Sequence, residues 1–244
     1  MEVHAHTHTP RKKWTHYFWE FFVLFLAVTA GFMVENFRHH QLEKRYEKQY
    51  MHSLVEDLQS DTTQLNRLID LFTFIYKMED SLKWALKQPD IMTNAALAYP
   101  YLGYPLDGYA FHRSERTIQQ LKNAGGLRLI HSVRVSNKIN EYDESYRQSG
   151  EINSVAIETY HHYTEILNKV ADADLMGYPY REGTLTMEPG AYKWISSDQK
   201  DIKTLYNYTV NFQWVNNIYN SQLKGLREQA VELISFLKEQ YNMK

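Results

Sequence analysis

The chain has 244 residues, with 27 Lys and Arg against 29 Asp and Glu, and it contains no Cys. A net charge of −2 offers no basic surface for nucleic acid, and the lack of Cys excludes disulfides, Cys-ligated zinc and thiol catalysis. Only 10 Gly and 6 Pro are present, about half the usual share, and none lies between Gly31 and Pro89. Because β-sandwiches, β-barrels and α/β enzymes need frequent turns, the composition predicts an all-α fold of long helices.

The first element along the chain is an apolar segment from Tyr17 to Phe37, with an uninterrupted apolar core from Phe21 to Val34. A membrane span needs about 20 residues, so the aromatic residues that flank this core must complete it. Three aromatic side chains at its start are expected at the membrane interface, namely Trp14, Tyr17 and Trp19. The sequence therefore predicts a transmembrane helix over residues 14–37, after a His-rich and basic tail over residues 1–13.

Two alternatives to a membrane anchor remain open for this segment. A cleavable signal peptide would use the basic residues 11–13 as its charged start and the small side chains near Ala30 for cleavage. A buried hairpin of a soluble domain is the other alternative. The uncleaved anchor is the interpretation that we favour.

The charges on either side of the span give its expected orientation. Basic residues 11–13 abut it on one side, whereas the basic residues beyond Arg38 alternate with Glu43 and Glu47 on a predicted helix. We therefore expect a cytoplasmic tail and a periplasmic bundle, anchored in the inner membrane by a single pass.

Beyond the span, residues 38–244 are predicted to form a helical bundle. Apolar residues recur there at spacings of 3 and 4, as in a coiled-coil seam. Long helices are expected at about 38–88, 129–171 and 198–241, a short helix at 111–124, and loops at 89–110 and 172–197. The first long helix is expected to continue the span without a break from about Trp14 to Gln88. Ser196 or Ser197 is expected to cap the last helix.

The long helices have similar predicted lengths, so we expect an elongated antiparallel bundle. If the first helix leads away from the bilayer, the loop 89–110 is distal and the loop 172–197 returns towards the membrane. The aromatic residues of that second loop would then contact headgroups, or else pack within the loop; they are Tyr178, Tyr180, Tyr192 and Trp194.

Several polar residues interrupt the seams. Asp61 and Glu79 interrupt the first seam, and Thr209 and Asn216 interrupt the last. We interpret Asp61 as a polar layer that fixes helix register rather than as a ligand site.

The start of the chain, MEVHAHTHTPRKKWTHYFWEFFVLFLAVTAGFMVEN, continues into YMHSLVEDLQSDTTQLNRLI, and RTIQQLKNAGGLRLI follows later. These stretches resemble an uncharacterised family of single-pass membrane proteins of the Bacteroidota, with a His-dotted start, an FxEFFxxFLAVxxGFxxE-like span and an EDLxxDT stretch. The resemblance covers most of residues 1–130. It implies an inner-membrane anchor in a Gram-negative cell, and it implies no activity, cofactor or catalytic residue.

Few residues suggest chemistry. His4, His6 and His8 alternate in the tail and are weak candidates for binding zinc, copper or nickel, although an incidental solvated tail is the simpler explanation. Glu158 and His161 have the spacing of a di-iron ligand pair, but the sequence offers one such motif where that site needs two. We therefore expect no catalytic residue and no cofactor.

Within the predicted span, Glu20, Ala27 and Gly31 share one face of the helix. Small residues at this spacing let membrane helices approach closely, and a carboxyl on the same stripe would then face a partner helix. Glu20 is also near enough to the interface to extend its carboxyl towards water.

Two functions of different classes follow from these features. The first is a non-enzymatic, membrane-anchored protein that self-associates, as a scaffold, a sensor or an accessory subunit. The second is an oligomer in which Glu20 conducts ions or protons or couples force. The expected partners are the lipid bilayer, further copies of the chain and possible membrane proteins of unknown identity, with no nucleic acid. Self-association would cover aromatic and apolar residues that lie off the seams, namely Phe74, Tyr76, Trp84, Tyr206, Trp214 and Ile218.

Overall fold

The computed structural model describes residues 13–103, 109–123, 126–176 and 188–243. This part of the chain is all-α, as the composition predicts, and it contains one isolated β-bridge, between Ala171 and Trp194. The helices are α1 (Trp14–Leu86), α2 (Tyr99–Leu102), α3 (Arg116–Asn123), α4 (Val133–Val170) and α5 (Gln199–Gln240). Single 3₁₀ turns lie at Ala95–Leu97, Gly126–Leu129, Ala173–Leu175 and Pro189–Ala191.

The helix α1 is continuous over 73 residues, which confirms the expectation of one helix from about Trp14. Contacts nevertheless divide the chain into two units, Met1–Gln49 and Tyr50–Lys244. In the first unit the structure describes Lys13 and residues 14–49 of α1, which we call the N-terminal segment. The second unit, which we call the bundle, contains residues 50–86 of α1 and all the other helices.

In the bundle, α5 is antiparallel to α1. The Thr73 hydroxyl of α1 accepts a hydrogen bond from the Asn220 amide at 3.5 Å, and the Asp80 carboxylate accepts one from Gln213 at 2.9 Å. As residue numbers rise along α1, those of its partners fall along α5. Their packing is therefore that of neighbouring rods in a helical bundle.

The helix α4 is also antiparallel to α5. Near the end of α4, Lys169 forms an ion pair with Asp201 at 2.6 Å, and near its start Arg134 lies over the ring of Phe236 at 5.0 Å. Because α1 and α4 are each antiparallel to α5, they run in the same direction.

A long return of the chain explains why α1 and α4 run in the same direction. The Leu102 carbonyl accepts a hydrogen bond from Tyr163, so Leu102 lies beside the later part of α4. The Ser114 amide, in contrast, donates to Asp61, which lies 25 residues before the end of α1 at Leu86. The distance along α1 from Leu86 to Asp61 is about 38 Å, and the 12 residues after Leu102 reach about 40 Å when extended. The chain thus returns along the bundle before α4 begins.

The loop 172–197 is expected from the sequence to lie at the opposite end of the bundle from the loop 89–110, and this expectation is wrong for the same reason. Tyr192 is buried against Tyr99, with 5.2 Å between the ring centroids, and the Trp194 indole donates to the Ile91 carbonyl at 2.8 Å. Both loops therefore pack together at the end of the bundle where α1 ends, and these two aromatic residues pack within the loops. The remaining expected headgroup contacts, Tyr178 and Tyr180, lie outside the described residues.

Two predicted boundaries need correction. The helix α3 begins at Arg116 rather than at 111, because backbone amides before it donate to side chains of other helices: Phe111 to Tyr219 and Ser114 to Asp61. The N-cap of α5 is Asp198, whose carboxylate accepts from the Lys200 amide at 2.8 Å, and not Ser196 or Ser197. An aspartate at this position also favours the positive end of the helix dipole.

The apolar interior of the bundle consists of two clusters. The first contains α1 residues from Met51 to Ile75 and α5 residues from Tyr219 to Leu237. The second contains α1 residues from Leu82, together with the two loops, the end of α4 and the start of α5. Between the two clusters, the bundle contains buried polar side chains.

Candidate membrane anchor and buried polar sites

The N-terminal segment exposes its apolar side chains. Its most apolar 18-residue window has a mean hydropathy of 1.8, and 0% of that window is buried inside the structure. The helix α1 is therefore long and apolar enough to cross a membrane. The apolar core predicted from Phe21 to Val34 lies entirely within the helix. Since a water-soluble helix hides such side chains, a wholly exposed apolar window needs a non-aqueous environment or a partner.

The three predicted interface residues lie in the first two turns of α1. Trp14, Tyr17 and Trp19 are 80%, 56% and 61% exposed, respectively. Ring contacts connect Trp14 to Phe18 at 6.3 Å and Trp19 to Phe22 at 5.9 Å. Their position at one end of the apolar window is the one expected for an aromatic belt.

The helix brings Glu20, Ala27 and Gly31 onto one face, as the spacing predicts, and all three are exposed. The Glu20 carboxylate lies 3.1 Å from the His16 imidazole, one turn earlier on α1. Apart from its two chain neighbours and the adjacent helix backbone, a Cβ atom added at Gly31 would meet no described atom within 4 Å. The surface around Gly31 is therefore open to a second helix.

The metal candidates His4, His6 and His8 lie outside the described residues. The sequence therefore remains the basis for the hypothesis that they bind metal.

In the bundle, Asp61 forms a buried polar layer, as expected from its place in the seam. It is 3% exposed, and it accepts hydrogen bonds from the Ser114 amide at 2.7 Å and from the Tyr142 hydroxyl at 3.1 Å. Burial is the largest effect on Asp61 and raises its pKa, while these hydrogen bonds oppose that rise. The layer joins α1, α4 and the segment before α3.

A second buried polar layer pairs Glu79 with Asn216, two of the polar residues that interrupt the apolar seams. The Asn216 amide of α5 donates to one carboxylate oxygen of Glu79 at 2.8 Å, and the two residues are 5% and 1% exposed. The sequence marks both residues as interruptions of their seams, yet it does not predict that they meet.

Charged side chains attach α3 to its neighbours, and sequence analysis missed them. Asp57 of α1 accepts hydrogen bonds from the backbone amide and hydroxyl of Thr117 and from Arg116. This carboxylate therefore holds the first turn of α3 against α1.

The Asp143 carboxylate of α4 forms close ion pairs with Arg113 and Lys122, each at 2.7 Å, and a longer one with Arg147 at 3.7 Å. Burial would raise the pKa of Asp143, but the hydrogen bonds from Lys122 and Arg113 outweigh it and hold that pKa below its ordinary value. Arg113 also lies over the ring of Tyr146 at 4.1 Å. These contacts fasten both ends of the segment 113–122 to α4.

Comparison with protein-family models, with curated proteins and with solved structures finds no match to this chain. Function is therefore inferred from the residues of the chain itself.

Proposed function

We propose that this chain is a non-enzymatic, single-pass membrane protein that self-associates and presents its bundle as a scaffold, a sensor or an accessory subunit. The observation that carries the proposal is the apolar window of α1, which is 0% buried over 18 residues. Lipid is the environment that suits such a surface, because it removes apolar side chains from water without needing a complementary protein partner.

The anchoring step can be tested with the full chain produced in a Gram-negative cell. We expect the protein to stay in the membrane fraction after extraction with alkaline carbonate and to be released by detergent. Its intact mass should include the segment 14–37. Release by carbonate, or a mature chain that begins near Gly31, would contradict an uncleaved anchor and would favour a signal peptide.

The proposed location is the inner membrane, with the tail in the cytoplasm and the bundle in the periplasm. Support comes from the basic residues 11–13 beside the span and from the family resemblance of the N-terminal sequence. External protease added to spheroplasts should digest the bundle. A bundle that survives this treatment while the outer membrane is open would overturn the orientation.

Self-association is supported by apolar side chains that the chain leaves uncovered. In the bundle, Trp84 is 59% and Trp214 is 67% exposed. In the N-terminal segment, the open surface at Gly31 lies on the same face as Ala27 and Glu20. We expect a symmetric homo-oligomer in which these stripes of neighbouring spans face one another.

The mass of the detergent-solubilised protein tests this step. Gly31→Leu should weaken the oligomer, and because a Cβ atom at this position meets no other part of the described chain, a changed mass would report on a neighbouring chain. Thr29→Leu is the matched control, since Thr29 lies on the opposite face of the helix. A wild-type monomer at about micromolar concentration in mild detergent would show that self-association is wrong.

A further inference from the structure

The Glu79 carboxyl is buried where the two apolar clusters of the bundle meet. The α1 members of the first cluster end at Ile75, and those of the second begin at Leu82. One Glu79 oxygen accepts a hydrogen bond from the Asn216 amide at 2.8 Å. The other oxygen, Oε2, has no hydrogen-bond partner among the described residues. An acceptor of this kind is costly in an interior if it is charged.

The nearest cation on α1 is already bound to other groups. Lys83 lies one turn after Glu79, but its ammonium group is 2.7 Å from Asp80 and donates to the Gln213 side-chain oxygen. The Gln213 amide in turn donates to Asp80 at 2.9 Å. These three residues form a link between α1 and α5 that leaves Glu79 without a salt bridge among the described contacts.

The groups that face Glu79 from the other helices do not neutralise it. From α4, the Tyr163 hydroxyl donates to the Leu102 carbonyl at 3.0 Å, and burial raises the pKa of Tyr163 far enough to keep it neutral. From α5, the neutral amide of Asn216 contacts Glu79 directly. The neutral amide of Gln213 binds Lys83 rather than Glu79. A protonated Glu79 avoids the cost of an unpaired buried charge.

We propose that Glu79 is a proton-binding site that couples the packing of α1 against α5 to pH. With its proton bound, the neutral carboxylic acid fits between the two apolar clusters. When the proton leaves to water, the carboxylate either gains solvent, by local separation of the helices, or attracts Lys83 from Gln213. The spacing of Glu79 and Lys83, one helical turn, permits that exchange. The proposal does not depend on the membrane function.

The direction of the pH dependence follows from the burial of the group. Burial raises the pKa of Glu79 to about 8, against the opposing hydrogen bond from Asn216 and the charge of Lys83. In an opened state the same carboxyl would have the ordinary pKa of about 4.3. Between these values the packed state holds one more proton, so packing weakens as pH rises. Below this range and above it, Glu79 contributes no pH dependence.

Hydrogen exchange of the full-length protein measures this opening in segments 72–86 and 209–220. The opening constant of the wild type, divided by that of Glu79→Gln at the same pH, should rise about tenfold per pH unit, or about 100-fold from about pH 5.5 to about pH 7.5. The ratio removes the intrinsic pH dependence of exchange. A ratio that stays constant over this range would overturn the proposal.

A second measurement needs no variant, in case Glu79→Gln fails to fold. Infrared spectra of the wild type with ¹³C-labelled glutamate should contain a protonated carboxylic-acid band that disappears with a midpoint near pH 8. The glutamate label separates this band from that of Asp61, whose pKa is also raised. If every glutamate ionises below about pH 6, Glu79 is not a proton-binding site and the proposal fails.

Discussion

Residues 14–37 and 50–86 belong to the same helix but expose opposite kinds of surface. In the first stretch, large apolar side chains are exposed around the whole circumference, and Leu24 and Phe32 are 66% and 74% exposed. In the second, most apolar residues recur along one stripe that is buried, and Leu65 and Leu82 are 0% exposed. Total hydropathy therefore marks the first stretch, and periodicity marks the second. The first is suited to lipid, and the second to the interior of a bundle in water.

The largest expected effect tests the buried stripe. Leu65→Ala removes a wholly buried side chain from the first apolar cluster, so we expect the bundle to lose about 2–5 kcal/mol of unfolding free energy. Thermal unfolding followed by circular dichroism measures it. The control Leu26→Ala, in the exposed apolar stretch, should leave the unfolding of the bundle unchanged. Equal losses from the two substitutions would remove the distinction between the stretches.

A charge in the apolar stretch should have the complementary effect. Leu26→Arg places a guanidinium near the middle of the proposed span, at a cost of about 2.5–3.5 kcal/mol for insertion. We expect a smaller fraction of the protein in carbonate-resistant membranes, with the bundle still helical. Asn66→Arg, at an exposed site on the second stretch, is the control and should not change this fraction. Full membrane retention of Leu26→Arg would argue against a span.

A smaller and more local effect is expected at Asp57, which lies in the second stretch of α1. Asp57→Ala leaves the buried amide and hydroxyl of Thr117 without their acceptor, at a cost of about 1–3 kcal/mol. Hydrogen exchange should accelerate in α3 and little elsewhere. The neighbouring Glu56 is exposed and its carboxylate lies 3.8 Å from Arg116, so Glu56→Ala should have little effect. Similar exchange in both variants would show that Asp57 does not fasten α3.

The smallest expected effect is a loss of bundle stability in acid. The pKa of Asp143 is lowered, so its contribution is complete above the ordinary Asp pKa of about 3.9 and is lost as pH falls through the lower folded value. Asp143→Asn should therefore make the acid unfolding curve less steep. Membrane retention, which depends on apolar side chains, should not change over the same range. An unchanged unfolding curve would show that these ion pairs contribute little.

The helices could be predicted from the sequence because Gly and Pro are rare and apolar residues recur at helical spacing. The relative direction of α1 and α4 could not be predicted, since a seam has the same pattern in parallel and antiparallel pairs. The contacts that reveal it join each helix to α5, and their side chains lie off the seams: Thr73 with Asn220 and Asp80 with Gln213 from α1, Lys169 with Asp201 and Arg134 with Phe236 from α4.

The buried polar sites were only partly predictable. Asp61 and Glu79 stand out as polar residues in an apolar seam, so their burial could be expected. Which group each carboxylate meets depends on the axial alignment of α1 with α5 and on the return of the chain before α4. The sequence contains no periodic signal for that alignment, and Asn216 is recognisable as the partner of Glu79 only once the direction of both helices is known.

The pairing of α1 with α5 also affects how the chain is made. Glu79 and Asn216 are 137 positions apart, so at about 5–20 residues per second the ribosome needs about 7–27 s to make the partner of this part of α1. During that interval the apolar stripe of residues 50–86 lacks the α5 surface that later covers it. Translation speed therefore sets how long this apolar stripe stays uncovered, and an uncovered stripe of this kind favours aggregation.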